Sequence, residues 1–143
     1  MTLMNRVGLG VIGLALSLAA TAARADVVAV VSAKSAVTVL STSQVANIFL
    51  GKATRFPNGV QAVPIDQADG SVARDEFYAK LVGKSATQLK AYWSKIIFTG
   101  RGQPPPAVAN SNEMKKRLIQ NPAAIGYIES NLVDDTVRVV LSQ

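Results

Sequence analysis

The stretch from Val63 to Phe77 constrains this chain more than any other. An apolar run, Val60 to Ile65, enters it. A Gly70-Ser71 turn interrupts it, and Phe77 and Leu81 leave it at the spacing of one helix face. Strand, tight turn and helix in that order bring backbone N–H groups and the positive end of a helix dipole to one place, where a small anion is the natural guest. The same residues also read as a plain helix start, because Asp69 and Ser71 are both good N-caps. Both readings predict the same backbone path.

The first 25 residues carry the three parts of a secretory signal peptide. Arg6 supplies a short positive region, Val7 to Ala20 an apolar run of 14 residues, and Ala23-Arg24-Ala25 a small-x-small cleavage site. The run falls short of the roughly 20 residues that a membrane-spanning helix needs. The sequence therefore predicts a signal peptide over 1–25 and a single periplasmic domain over 26–143 that does not span the membrane. Without Arg6 and Arg24, 13 Lys and Arg face 9 Asp and Glu. That mild excess suits an anionic small ligand or an acidic partner. Lys115-Lys116-Arg117 falls on an expected helix and reads as a solvated face. No basic stripe with interleaved aromatics occurs, so nucleic acid is not an expected partner.

The chain has no cysteine and no histidine. An exported domain of this composition is held by its core, since no disulfide can form. The usual ligands for zinc, copper and haem are missing, so no metal site and no cofactor is expected. Ser-His-Asp and Cys-His catalysis are excluded. Asp66, Asp69, Asp75 and Glu76 are clustered carboxylates, but nothing else in the sequence supports a reaction, and carboxylates at a helix start ordinarily complement its dipole. We expect no enzyme and no catalytic residues.

Along the mature chain, Val27-Val28-Ala29-Val30-Val31 predicts a strand buried on both faces. Val37 to Leu40 reads as extended. Ser41 with Gln44 forms a capping box for a helix carrying Val45, Ile48 and Phe49, stopped at Gly51. Pro57-Asn58-Gly59 marks a turn, and Val60 to Ile65 the next strand. Ser85 with Gln88 opens an amphipathic helix whose apolar face holds Leu89, Tyr92, Trp93, Ile96 and Ile97. Thr99 to Ala109 reads as a loop stiffened by Pro104-Pro105-Pro106. Asn110 caps a helix with Met114 and Leu118, which Asn121-Pro122 ends. Ala124 to Ile128 and Val137 to Leu141 are the last strands. Strands alternating with helices predict an α/β layer with a mostly parallel sheet flanked by helices.

Three motifs now stand in a recognisable order: Gln44-Val45-Ala46-Asn47-Ile48-Phe49-Leu50-Gly51-Lys52, then Asp69-Gly70-Ser71 with Arg74 and Phe77, then Pro122-Ala123-Ala124-Ile125-Gly126-Tyr127-Ile128. Together they resemble the phosphate-type substrate-binding proteins of ABC transporters, which have the class II periplasmic-binding fold. That family shows an "Ile-Phe-x-Gly-Lys" helix end, an "Arg-x-x-Gly-Ser-Gly-Thr" anion loop and an "Ala-Ile-Gly-Tyr" strand. Its full-length members have two lobes, whereas the mature chain here has the length of one lobe. In the anion loop Gly70, Ser71 and Asp69 match the family. Gln67 stands where the family has arginine, and Val72 and Ala73 stand where it has Gly and Thr. These departures remove a guanidinium and a hydroxyl that would make charge-assisted hydrogen bonds to phosphate.

The resemblance implies a solute-binding-type protein for phosphate or a similar oxyanion, working with an ABC permease or another periplasmic partner. The ligand-binding residues would be Asp69, Gly70, Ser71, Val72 and Arg74, through loop amides, the Ser71 hydroxyl and the Arg74 side chain. The alternative is a periplasmic adaptor or sensor-partner module that has lost the ligand; the residues at Gln67, Val72 and Ala73 favour it. Export gives the first test. Intact mass of the periplasmic fraction should show a chain beginning at Asp26, and a full-length membrane-bound product would contradict the signal-peptide reading.

Overall fold

The computed structural model describes residues 26–141, together with Gly10 and Gly13. The expected signal segment otherwise lies outside the described residues. Strand β1 (Val27–Ser32) is followed by helix α1 (Thr42–Phe49), and then by the short strands β2 (Val63–Pro64) and β3 (Asp66–Gln67). Helix α2 (Val72–Phe77) continues into a π-helical turn, Tyr78–Val82, and helix α3 (Ala86–Phe98) comes next. Strand β4 (Ala107–Val108), helix α4 (Ser111–Gln120), strand β5 (Ala124–Glu129) and strand β6 (Val137–Val139) complete the chain.

The main sheet has the order β2-β5-β1-β6. β1 runs antiparallel to both β5 and β6, and β2 runs parallel to β5. A second pair, β3 with β4, is parallel. The α/β class is as the sequence predicts; the sheet is mixed, with parallel pairing confined to the short strands and antiparallel pairing in the long central ones.

Both faces of the sheet are covered, because β1 from Val27 to Val31 and β5 from Ala124 to Ile128 carry no polar side chain buried without a partner. Ala29 and Val31 of β1, with Ile125 and Tyr127 of β5, pack against α1, α2 and α3 through Phe49, Phe77, Leu89 and Trp93. Val30, Ala124 and Ile128 face the other way, onto Met114 and Leu118 of α4. Period-two alternation thus divides one pair of strands between two helical layers. The capping residues act as expected. Ser41 and Ser85 accept from the N–H groups of Gln44 and Gln88, and both glutamines reach back to complete the box. Gly51 takes a positive φ of 71° at the end of α1, where a Cβ would also lie only 3.3 Å from the Trp93 ring.

Three expectations need correction. The strand expected over Val60 to Ile65 is confined to Val63–Pro64. Beyond it the chain changes sheets: the Ile65 N–H still donates to Ile125 O, but the Asp66 N–H donates to Pro106 O. Pro64 is tolerated because β2 is an edge strand, where a missing donor faces outward. Next, the Thr99 to Ala109 loop contains β4, whose Ala107 and Val108 pair with Asp66 and Gln67. Finally, Ile97 is 48% exposed although it shares the α3 face of Leu89 and Trp93; the helix runs past its support there.

Gly126 shows why glycine interrupts β5. It sits opposite Val30 in the ladder, and a Cβ added to it would lie 2.3 Å from Met114 Sδ, which is fully buried. Its absence lets α4 lie close to the sheet. Gly126→Val should therefore destabilise by about 1–3 kcal/mol, the usual cost of overpacking, although valine is the better strand former. Denaturant unfolding measures this, and parental stability would show that the glycine has no packing role.

Candidate functional site

The site forms where β3 leaves the sheet and turns into α2. Asp66 and Gln67 end the apolar run, and both are buried, at 3% and 2% exposure. Such groups persist in a core only when hydrogen-bonded, and here they are. Asp66 Oδ2 accepts from the Tyr78 hydroxyl at 2.7 Å, and Oδ1 accepts from the Tyr127 hydroxyl and from the Gln67 N–H. Gln67 Nε2 donates to Ser111 Oγ at 3.0 Å and to Tyr127 O at 3.1 Å. Its Oε1 accepts from the Ser71 hydroxyl at 3.0 Å.

The turn brings the predicted residues together around that core. Gly70 has φ +84°, the left-handed conformation that its lack of a Cβ makes inexpensive. Ser71 is the N-cap of α2, its Oγ accepting from the Arg74 N–H at 3.3 Å. The capping alternative is thus realised. Because the hydroxyl proton goes to Gln67, Ser71 is satisfied in both directions. Arg74 turns back over the loop, with Nη1 donating to Asp69 Oδ1, Nε lying 3.5 Å from Asp66 Oδ1 and the guanidinium lying 5.5 Å from the Tyr78 ring centre. Asp69 is exposed, while the Arg74 side chain is largely covered. Val72 is 59% exposed, so of this residue only the backbone could serve a ligand at the turn.

The electrostatics follow from burial and pairing. Burial pulls the Arg74 pKa down while Asp66 and Asp69 push it up, and the upward pull prevails. Burial, reinforced by Asp66, pushes the phenols of Tyr78 and Tyr127 well above the ordinary tyrosine value. Tyr127 also belongs to the aromatic cluster: its ring stacks on Phe77 at 4.1 Å with an interplanar angle of 7°. The loop is therefore tied to the sheet by hydrogen bonds at one end of Tyr127 and by ring packing along it.

Sequence reading located the turn but missed Tyr78, Tyr127 and Ser111, and it treated Asp66 only as one carboxylate among four. The available signal was a polar Asp-Gln pair directly continuing an apolar run, which implies partners elsewhere in the core. The mixture of hydroxyls, carboxylates, one amide and one guanidinium can hold hydrogen bonds and an anion; among the described residues no group of acidic side chains is arranged to hold a metal.

The chain matches no family model and no curated protein. Solved structures share its fold. A candidate phosphate ABC transporter substrate-binding protein of Clostridium perfringens, solved with bound phosphate, aligns with TM-score 0.64 and 24% identity over 82% of this chain and 45% of its own. An ABC-type phosphate transport receptor of Vibrio cholerae aligns with TM-score 0.62 and 20% identity, over 81% and 45%. PstS of Borrelia burgdorferi aligns with TM-score 0.62 and 13% identity, over 83% and 48%. The chain thus has the fold of phosphate-type substrate-binding proteins, and it spans a little under half of their length, in keeping with a single lobe. No helix among the described residues is long and apolar enough to cross a membrane.

The buried phenols give a pH test. Their pKa values are raised in the folded state, so the stability they contribute is complete below the unfolded tyrosine value of about 10 and is lost as pH rises above it. An ultraviolet titration should show Tyr78 and Tyr127 ionising only together with loss of the circular dichroism signal. Ionisation of both near pH 10 with the fold intact would contradict the network.

Proposed function

We propose that this chain is a periplasmic, non-enzymatic solute-binding module of the kind used in phosphate-type ABC transport, and that it holds a small oxyanion at the Asp69–Arg74 turn. Arg74 carries this reading: a guanidinium held over the turn by Asp69 and Asp66, in the same turn as the Gly70 and Val72 amides, while the Ser71 N–H already donates to Ala68 O. The shared fold supports it, as does the positive excess of the mature chain. An oriented set of N–H donors at a helix start stabilises an anion electrostatically, with no bond made or broken. The permease that receives the solute would be the partner.

One observation favours the second reading, an adaptor or sensor-partner module without a ligand. The Gln67 side chain already accepts the Ser71 proton and donates to Ser111 and Tyr127, so the loop is closed by the chain's own groups. Gln67 stands where the resemblance places arginine. The structure also changes what Gln67→Arg would do: a larger cation would have to enter a fully hydrogen-bonded buried position, and loss of folding would hide any gain in affinity.

Calorimetric titration with phosphate separates the two readings. Under the first, phosphate gives heat, Ser71→Asp weakens binding at least tenfold (about 1.4 kcal/mol) through repulsion, and folding persists because Asp also caps helices. Gln67→Ala should bind more tightly, since it frees two hydroxyls, at a cost of about 1–3 kcal/mol in stability. Absence of heat from both the parent and Gln67→Ala would transfer the assignment to the adaptor.

A further inference from the structure

The acidic residues of this chain stop at Glu76 and resume at Glu113. Between them, residues 77–112 carry five cations, Lys80, Lys84, Lys90, Lys95 and Arg101. Residues 26–143 hold 13 Lys and Arg against 9 Asp and Glu, so eight cations and nine acids remain outside this segment. The whole positive excess of the domain therefore sits on α3 and its two flanking segments. Two of the five cations are offset nearby. Lys80 pairs with Asp26 at 3.0 Å, and Lys90 shares a depression with Asp69, which together with Asp66 outweighs Arg74 by one charge. Lys84, Lys95 and Arg101 make no ion pair among the described residues.

These three cations lie along one flank of α3. Lys84 Nζ sits 5.2 Å from the centre of the Tyr92 ring, and Lys95 and Arg101 line the same depression as Tyr92, to which no carboxylate contributes. Beside this flank runs the outward face of the helix. It carries Thr87, Ala91, Ser94 and Phe98 at three- and four-residue spacing, opposite Leu89, and all four are exposed. Phe98 is 93% exposed, whereas the next most exposed large apolar side chain among the described residues, Val72, reaches 59%. A phenyl ring held wholly in water is unfavourable, and its position amid unopposed cations marks a contact surface.

We propose that this end of α3 docks on an anionic lipid bilayer. Phe98 enters the interfacial layer, and Lys84, Lys95 and Arg101 meet lipid phosphates with their aliphatic stems along the apolar boundary. Charge and shape both favour a bilayer over other occupants. A second copy of the chain would set the same unopposed cations against each other. A protein partner draws its affinity from a contiguous apolar patch, but the neighbours of Phe98 on its face are Ser94, Ala91 and Thr87. A bilayer needs no matching shape: an inserted aromatic side chain and several cations give weak, reversible binding. The inference is independent of which solute the Asp69–Arg74 turn holds, and it adds a means of keeping the module at a membrane surface.

The chain from Asp26, which contains every strand and helix described above, should be sedimented at low salt with two kinds of vesicle, phosphatidylcholine alone and phosphatidylcholine mixed equally with phosphatidylglycerol. It should bind the second and not the first, and added salt should release it. Phe98→Ser, an exposed change that spares the core, should weaken binding at least about fivefold. Lys95→Gln combined with Arg101→Gln should weaken it about tenfold or more, at about fivefold per charge. Phe98→Trp should keep binding, and its emission should move to shorter wavelength on the anionic vesicles; the parent, whose only tryptophan is the buried Trp93, gives the baseline. Equal binding to both vesicles, or parental binding in Phe98→Ser, overturns the proposal. A dimer in sedimentation velocity that Phe98→Ser dissolves, with vesicles unbound, assigns the face to a second copy and overturns it. A monomeric chain that binds neither vesicle leaves the face to a protein partner and overturns it equally.

Discussion

Asp66 is the group on which the local structure depends. A carboxylate taken out of water is strongly unfavourable unless each lone pair finds a donor. Asp66 gathers its partners from four places: hydrogen bonds from Tyr78 in the π-helical turn, from Tyr127 in β5 and from the adjacent Gln67 amide, and an ion pair with Arg74 in α2. The donors in turn fix their own segments. Tyr127 is locked against Phe77 and sits near Phe49, so the polar network and the aromatic core share one side chain. Arg74 is held over the turn and thereby positions Asp69. The geometry of the exposed loop is thus set by a buried charge several residues before it.

The same network explains what the turn can offer a ligand. Ser71, the hydroxyl expected to meet an anion, already gives its proton to Gln67, and Arg74 is shared between two carboxylates. A fold shared with phosphate receptors at 24% identity and below does not carry their ligand with it. The residues of this chain decide the question.

Much of the fold was legible in the sequence because its signals are local. The capping boxes at Ser41 and Ser85, the stop at Gly51 and the buried runs of β1 and β5 need only neighbouring residues to be read. The β3–β4 pair was not legible, since it joins Asp66 and Gln67 to Ala107 and Val108 across some forty residues, and β4 follows three prolines that favour a loop. The antiparallel central ladder was hidden for the same reason: apolar strands of either direction look alike when both faces are covered. In the site, the turn itself was evident from Gly70-Ser71. The partners that fill it were not, because Tyr78, Ser111 and Tyr127 come from separate elements and are joined to the loop only by tertiary packing.

The most direct measurement of this account is the unfolding free energy of Asp66→Ala. If Asp66 organises the turn, the variant leaves two buried phenols without their acceptor and Arg74 without one of its two carboxylates, and it should lose at least about 3 kcal/mol, as when one partner of a buried pair is removed. Phenolate absorbance should also appear at lower pH in the variant than in the parent. A loss below about 1 kcal/mol, with the alkaline titration unchanged, would contradict the central place given to this carboxylate.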